Sequence, residues 1–239
     1  MFVSIVIPAK NEEANLERLL TQLGAQSMRS FEVIVADAFS TDRTREIATS
    51  LGAIIVDGGL PGTGRNVGAA AARGDVFVFM DADAVLPSNH FLRDILAELL
   101  RKQLDVAAID ILPSDGSWLD VLTYRVYNMY VHALGRRLPH AVGTCMLAKR
   151  FVHEAIGGFD ETITLAEDMH YARLGSMVGE FGILTSHPVY TSMRRWRKEG
   201  RLQLTIKFLY GELYMLFKGP IRKPAIYDFD HKKDSSRRV

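Results

Sequence analysis

Short β-branched runs alternate with amphipathic stretches along the first hundred residues. "FVSIVIPA" (2–9) predicts a buried strand. "EEANLERLLTQLG" follows, with Leu16, Leu19, Leu20 and Leu23 on one helical face and Gly24 as a stop. "FEVIVAD" predicts a second strand, and "STDRTREIATSLG" a helix capped by Ser40 or Asp42. "AIIVDG" predicts a third strand, "GRNVGAAAARG" a small-residue helix, and "DVFVFMD" a fourth strand. "HFLRDILAELL" closes the series, with apolar residues at 91, 92, 95, 96, 99 and 100. Strands alternating with helices imply an α/β chain, its central sheet mainly parallel and flanked by helices. Ligands of such sheets bind at the carboxyl ends of the strands.

The second half is less regular. "DVAAIDIL" and "AVGTCMLAKR" read as strands, and "SWLDVLTYRVYNMYVHALG" as an aromatic helix. "GGFDETITLAEDMHYARLGSMVG" reads as a loop entering a helix, and "RLQLTIKFLYGELYMLF" closes the ordered chain. No repeat or linker interrupts it. One domain is therefore expected over 1–220, with a nucleotide-binding half to about 104, an acceptor half over 105–220, and a basic tail over 221–239.

The formal net charge of +1 hides an asymmetry. Residues 194–239 carry 13 Lys/Arg against 5 Asp/Glu, a net of +8, which leaves −7 on the first 193. Such a region suits an anionic partner: a phosphate group, nucleic acid or an anionic membrane. The last residues, "KKDSSRRV", read as a solvated tail. The single cysteine, Cys145, excludes an intrachain disulfide and a cysteine-rich zinc site. No signal peptide is expected. No segment offers the roughly 18 uninterrupted apolar residues of a membrane span. The aromatic segment 118–134 and the apolar, basic region 194–223 still have the composition of membrane-interface helices; core packing is the competing reading.

Candidate chemistry lies at predicted strand ends. Asp81 and Asp83, in "FVFMDADA", follow a five-residue apolar strand, and on extended backbone they point to one side. Two such carboxylates call for a compensating cation, for which Mg²⁺ or Mn²⁺ is suited. Asp37 ends the second strand, where a carboxylate accepts hydrogen bonds from a ribose hydroxyl or a base N–H. Glu12 and Glu13 fit either a ligand role or a helix N-terminus. Glu167 and Asp168, in "AEDMHYARL", fit a helix start or a general base. His187 is a candidate further metal ligand. "MRRWRKEG" supplies Arg194, Arg195, Arg197 and Lys198 around Trp196, and arginine forks suit a diphosphate.

One stretch points elsewhere. "GGLPGTGRN" (58–66) lies between a strand and a helix, the setting of an ATP phosphate loop. That loop needs Lys and then Ser/Thr after the last glycine, and here Arg65 and Asn66 stand there. The glycines read instead as a turn close to the ligand site.

Taken in order, "SIVIPAKNEEANL", "EVIVADAFSTDRT", "GRNVGAAAARGDVFVFMDADA", "GGFDE…AEDMHYARL" and "TSMRRWRKEG" resemble glycosyltransferase family 2, whose fold is GT-A. The match covers roughly residues 3–200. Its last motif most resembles a radical-SAM-associated subgroup of small bacterial and archaeal members. The resemblance implies a metal-dependent, inverting transfer from a UDP- or GDP-sugar to an acceptor hydroxyl, lipid-linked or on a polysaccharide. It implies Pro8, Ala9 and Glu12 beside the base and ribose, Asp37 on the base or ribose, and Arg65 near the nucleotide. Asp81 and Asp83 form its D-x-D motif for Mn²⁺ or Mg²⁺, with Asp83 the direct ligand. Asp168, of the Glu167–Asp168 pair, is the implied base, while Arg194, Arg195 and Trp196 close over the diphosphate or acceptor. Two departures stand out. Asp37-Ala38-Phe39-Ser40 lacks the second acid of the common D-D-G-S, which leaves the base open. Ser192 replaces the Gln of a Q-x-x-R-W motif, which argues against polymer synthesis. The implied location is cytoplasmic, peripheral at the inner face of the cell membrane, and nucleic acid is not among the implied partners. A sugar-nucleotide pyrophosphorylase is the alternative enzyme, although its glycine-rich, basic opening is absent. A non-catalytic membrane-associated module would explain the basic region but not the ordered carboxylates.

Overall fold

The computed structural model describes residues 1–222, with seven strands and nine helices among them. β1 (Val3–Ala9), β2 (Phe31–Asp37), β3 (Ile54–Asp57) and β4 (Val76–Met80) pair in parallel, separated by α1 (Glu13–Gly24), α2 (Thr44–Ser50) and α3 (Pro61–Ala71). α4 (Phe91–Arg101) leads to β5 (Val106–Pro113), and α5 (Trp118–Leu134) to β6 (Cys145–Lys149). α6 (Arg150–Ile156) and α7 (Glu167–Val178) precede β7 (Phe181–Thr191), and α8 (Arg194–Glu199) and α9 (Arg201–Phe217) complete the chain. The strand order is β3-β2-β1-β4-β6-β5-β7; β6 runs antiparallel between β4 and β5, and β7 is parallel to β5. The sheet is thus mainly parallel, as its alternating pattern predicts.

Side-chain alternation divides the core into two layers. Ile5, Ile7, Val78 and Met80 pack with the leucines of α1 and the apolar face of α4. Val6, Phe77 and Phe79 point the other way, onto Ala69 of α3, Val152 of α6 and Tyr171 of α7. The predicted faces of α1 and α4 are buried, except Leu100, which is exposed.

The glycine-rich stretch is mostly helix. Pro61 stands in the first turn of α3, so Gly62 and Gly64 lie inside the helix and not in a loop. A Cβ on Gly68 would collide with Val6 Cγ1, and one on Gly64 would lie 3.1 Å from Pro8 Cβ. One turn apart, these glycines let α3 lie directly on β1. Of the glycines, only Gly58 and Gly59 lie in the connection itself, and a Cβ on Gly58 would meet the Ala36 carbonyl at 2.7 Å.

Three elements, α6, β7 and α8, have no counterpart in the sequence reading. α6 is only seven residues long, and β7 contains Pro188. β7 is the edge strand next to β5, with a single further bridge from Tyr190 to Val85; its register shifts between Ile109 and Ile111, and an edge with a bulge is where a strand accommodates proline. Ile221 and Arg222, assigned to the tail, belong to the fold: Ile221 bridges to Leu165 and is buried, and Arg222 pairs with Asp160. The rest of the expected tail, including "KKDSSRRV", lies outside the described residues.

Candidate active site

Arg65 is the centre of the site. It projects from α3 and is 2% exposed. Its Nη2 donates to Asp81 Oδ1 at 2.9 Å and its Nη1 to Glu167 Oε1 at 2.7 Å. The guanidinium carbon sits 5.3 Å from the Phe159 ring centre, and Phe159 stacks on Tyr171 at 4.1 Å. Burial opposes the guanidinium charge, but Asp81, Glu167 and Asp168 outweigh it and hold the group firmly protonated. One buried cation thus gathers acids from "DADA" and from "AED", some 86 positions apart in the chain.

Asp168 lies in the first turn of α7. Its Oδ2 accepts from the Gly143 N–H at 2.5 Å and its Oδ1 from the Met169 N–H at 2.7 Å. Burial, with Glu167 next to it, pushes its carboxyl up to about 6 against the opposing pull of Arg65 and the two N–H groups. The residue that precedes α7, Ala166, has φ +61°, a left-handed conformation uncommon for a residue with a Cβ. That turn starts α7 with Glu167 and Asp168 both in its first turn, where the helix dipole favours negative charge.

Asp81 and Asp83 depart from the expected extended geometry. β4 ends at Met80, and the Ala84 N–H donates to the Asp81 carbonyl, so the pair sits on a turn. Asp81 faces Arg65, while Asp83 senses Glu12 and Arg194. Desolvation first, and then the charges of Asp81 and Glu12, push Asp83 up to about 7. Asp81 is also raised, by desolvation above all. Asp83's carboxylate accepts no hydrogen bond from a described residue, and Asp81 commits only Oδ1. Hard oxygen donors short of positive charge fit a divalent cation.

Glu12 accepts from Asn15 at 2.6 Å and from Arg194 Nη2 at 2.5 Å. Arg194 thereby ties α8 to the end of β1. Pro8 and Ala9 close β1 in register with Ala36 and Asp37. Asp37 is fully buried; its Oδ2 accepts from the Ser40 N–H and from Arg45, while its Oδ1 is buried without a partner.

Three expected contacts go elsewhere. His187 is not grouped with the acidic pair: its Nε2 bonds Asp94 Oδ2 at 2.9 Å, because β7 packs along α4. No set of three His, Cys, Asp or Glu side chains is arranged as a metal cluster among the described residues. Arg195 turns to Glu199 one helical turn on, and the Trp196 indole donates to the Tyr124 hydroxyl at 3.1 Å. Of that motif only Arg194 bonds a site acid among the described residues.

The sequence reading missed two positions. Asn66 donates to the Phe159 carbonyl and accepts from its N–H, both at 2.8 Å, locking the loop that carries the aromatic wall. Gly143 places its N–H on Asp168, and a Cβ there would collide with Arg65 Nη2. "AVGTC" carries no signal for this role, since the contact depends on how β6 enters the sheet. Gly143→Ala is expected to displace Arg65 or Asp168, to lower turnover about 10²-fold, the scale of a 1 Å misplacement, and to lower the melting temperature as the buried ion pairs are disturbed.

A mainly parallel sheet with an acidic turn after its fourth strand, facing an acid pair at a helix start, defines the GT-A architecture. The chain belongs to glycosyl transferase family 2, whose model matches residues 4–157. It is 39% identical over 110 residues to 4,4'-diaponeurosporenoate glycosyltransferase of Staphylococcus haemolyticus, covering 42% of this chain and 29% of that one. It is 33% identical over 176 residues to undecaprenyl-phosphate 4-deoxy-4-formamido-L-arabinose transferase of Pseudomonas aeruginosa, covering 64% and 49%. The chain spans about a third of the length of the first of these curated relatives and about half of the second. Among solved structures, the mannosyltransferase PcManGT of Pyrobaculum calidifontis with GDP-Man and Mn²⁺ superposes with a TM-score of 0.66 at 23% identity, covering 87% of this chain and 64% of that one. TarS of Staphylococcus aureus with UDP-GlcNAc gives 0.63 at 22%, covering 81% and 59%.

Proposed function

We propose that the chain transfers a sugar from a UDP- or GDP-sugar to an acceptor hydroxyl, with inversion at the anomeric carbon. The observation that carries this reading is the set of acids gathered round Arg65, with Asp168 held at a proton affinity suited to a base near neutral pH. Asp168 takes the proton of the acceptor hydroxyl as its oxygen bonds to the anomeric carbon. The bond from that carbon to the diphosphate breaks, and the electron pair leaves with the nucleoside diphosphate. Arg65 keeps Asp81 and Glu167 in place through this change, and Arg194, half-exposed beside Glu12, is positioned to meet the leaving phosphates. Asp81 and Asp83 would hold Mn²⁺ or Mg²⁺, which supplies positive charge for the departing diphosphate. Asp37 Oδ1, buried and unpartnered, is an acceptor that a base N–H would satisfy. The acceptor is read as lipid-linked or a polysaccharide. The name of the Pseudomonas relative supports the first of these.

A thermal-shift screen of UDP and GDP, with and without Mn²⁺, tests this reading. Asp83 is protonated more easily folded than unfolded. The stability its neutral form permits is therefore lost as pH rises from about 4 through about 7. A bound cation removes that loss. Mn²⁺ should raise the melting temperature more at pH 8 than at pH 5, and Asp83→Asn should abolish the difference. Equal Mn²⁺ shifts at both pH values, or an unchanged difference in the variant, would refute the cation site.

A further inference from the structure

α5 turns its apolar side outward. Trp118, Leu122, Val126 and Met129 recur at spacings of four, four and three, so they form one stripe along the helix. Trp118 is 78% exposed and Met129 71%, with Leu119 and Tyr130 flanking them. Two polar residues of α5 point inward beside Tyr124 and Val131: Asp120 is buried against Ser117 and Arg201, and Asn128 bonds the backbone of Ile111 in β5, while Thr123, Arg125 and His132 are exposed. A surface helix needs only one apolar stripe, turned to the core; α5 carries a second one facing outward. α9 runs beside it, tied by Arg201 to Asp120 and by Glu212 to Tyr130, and exposes Ile206, Tyr210 and Phe217 on one side. Exposed apolar side chains grouped along two linked helices mark an interaction face.

The charges around these helices point to the occupant. The acids are engaged within the molecule: Asp115 with Arg197, Asp120 with Arg201, Glu199 with Arg195 and Lys207, Glu212 with His140 and Tyr130. Arg125 and Lys198 are exposed, and neither forms a salt bridge with a described residue. The region from 194 onward carries a net +8. A second copy docked on the same face would bring like charges together, whereas an anionic bilayer supplies the missing negative charge and takes up the apolar side chains. No helix among the described residues is long and apolar enough to cross a membrane, so such contact lies in the interface plane. We propose that the outward faces of α5 and α9 form a docking surface for an anionic lipid bilayer.

The full chain should co-sediment with vesicles containing phosphatidylglycerol, bind phosphatidylcholine vesicles far more weakly, and release at high salt. Trp118→Ser/Met129→Ser should lower the bound fraction at least about tenfold while leaving the melting temperature nearly unchanged, because both side chains are mostly exposed. Arg125→Glu, which leaves the apolar stripe intact, should weaken binding to the anionic vesicles only. Absent binding by the unaltered chain at low salt overturns the proposal. So does equal binding by the serine variant, or a dimer in solution that the serine variant dissociates while vesicle binding persists. No donor sugar enters this assay, so its failure leaves the transferase reading untouched.

Discussion

Asp168→Asn is expected to lower turnover about 10²–10⁴-fold, the usual contribution of a general base. Asn keeps the size of the carboxylate and can still accept one of the two N–H bonds from Gly143 and Met169, so the fold should persist. The base works only when ionised. With its proton affinity near 6, turnover of the unaltered chain should rise as pH increases through about 6 and level off above it. The variant should lose that limb. A panel of UDP- and GDP-sugars, read by nucleoside diphosphate release across pH 5–8, makes both comparisons. Wild-type turnover by the variant would remove Asp168 from the chemistry.

Arg65→Met is expected to have the larger structural effect. Methionine fills much of the same space against Phe159 but leaves Asp81, Glu167 and Asp168 facing one another without a cation. Removing one partner of a buried ion pair costs about 3–5 kcal/mol. Asp81 keeps some contact with water, which argues for the lower end, about 3 kcal/mol. Denaturant unfolding at pH 7 measures the loss. Acidification should reduce it, because protonated carboxyls no longer repel. The variant's deficit should therefore shrink from pH 7 to pH 5, a pattern that lost packing alone does not give.

Much of the sheet was legible because its signals are local. The leucines of α1 repeat at helical spacing, and the acids of β2 and β4 stand where apolar runs stop. What stayed hidden depends on distant partners. Asp81 and Asp83 are spaced like strand residues, yet they stand on a turn beyond the end of β4. Gly143 reveals nothing until β6 brings it under Asp168. "GGLPGTG" reads as a turn ahead of the small-residue helix, whereas α3 already begins at Pro61, and the collision distances at Gly64 and Gly68 show it laid flat on β1. His187 and Asp94 are 93 positions apart, and no spacing rule links them. The resemblance located Asp168 and Asp83 in the chain; that Arg65 binds their neighbouring acids could be read only in three dimensions.

Arg65 also has a consequence for how the chain reaches its native state. Asp81 lies 16 positions from it and Glu167 lies 102. Closing the longer loop costs roughly 1.6 kcal/mol more chain entropy than the shorter. The pairing with Asp81 can therefore form while the first four strands assemble, whereas the pairing with Glu167 waits for β6, α6 and the Phe159 loop. Asp168 arrives with that second step. A folding intermediate made of the amino-terminal half would hold the D-x-D turn and the donor-side residues and still have no base. On the proposed mechanism, a chain folded only that far lacks the group that takes the acceptor's proton.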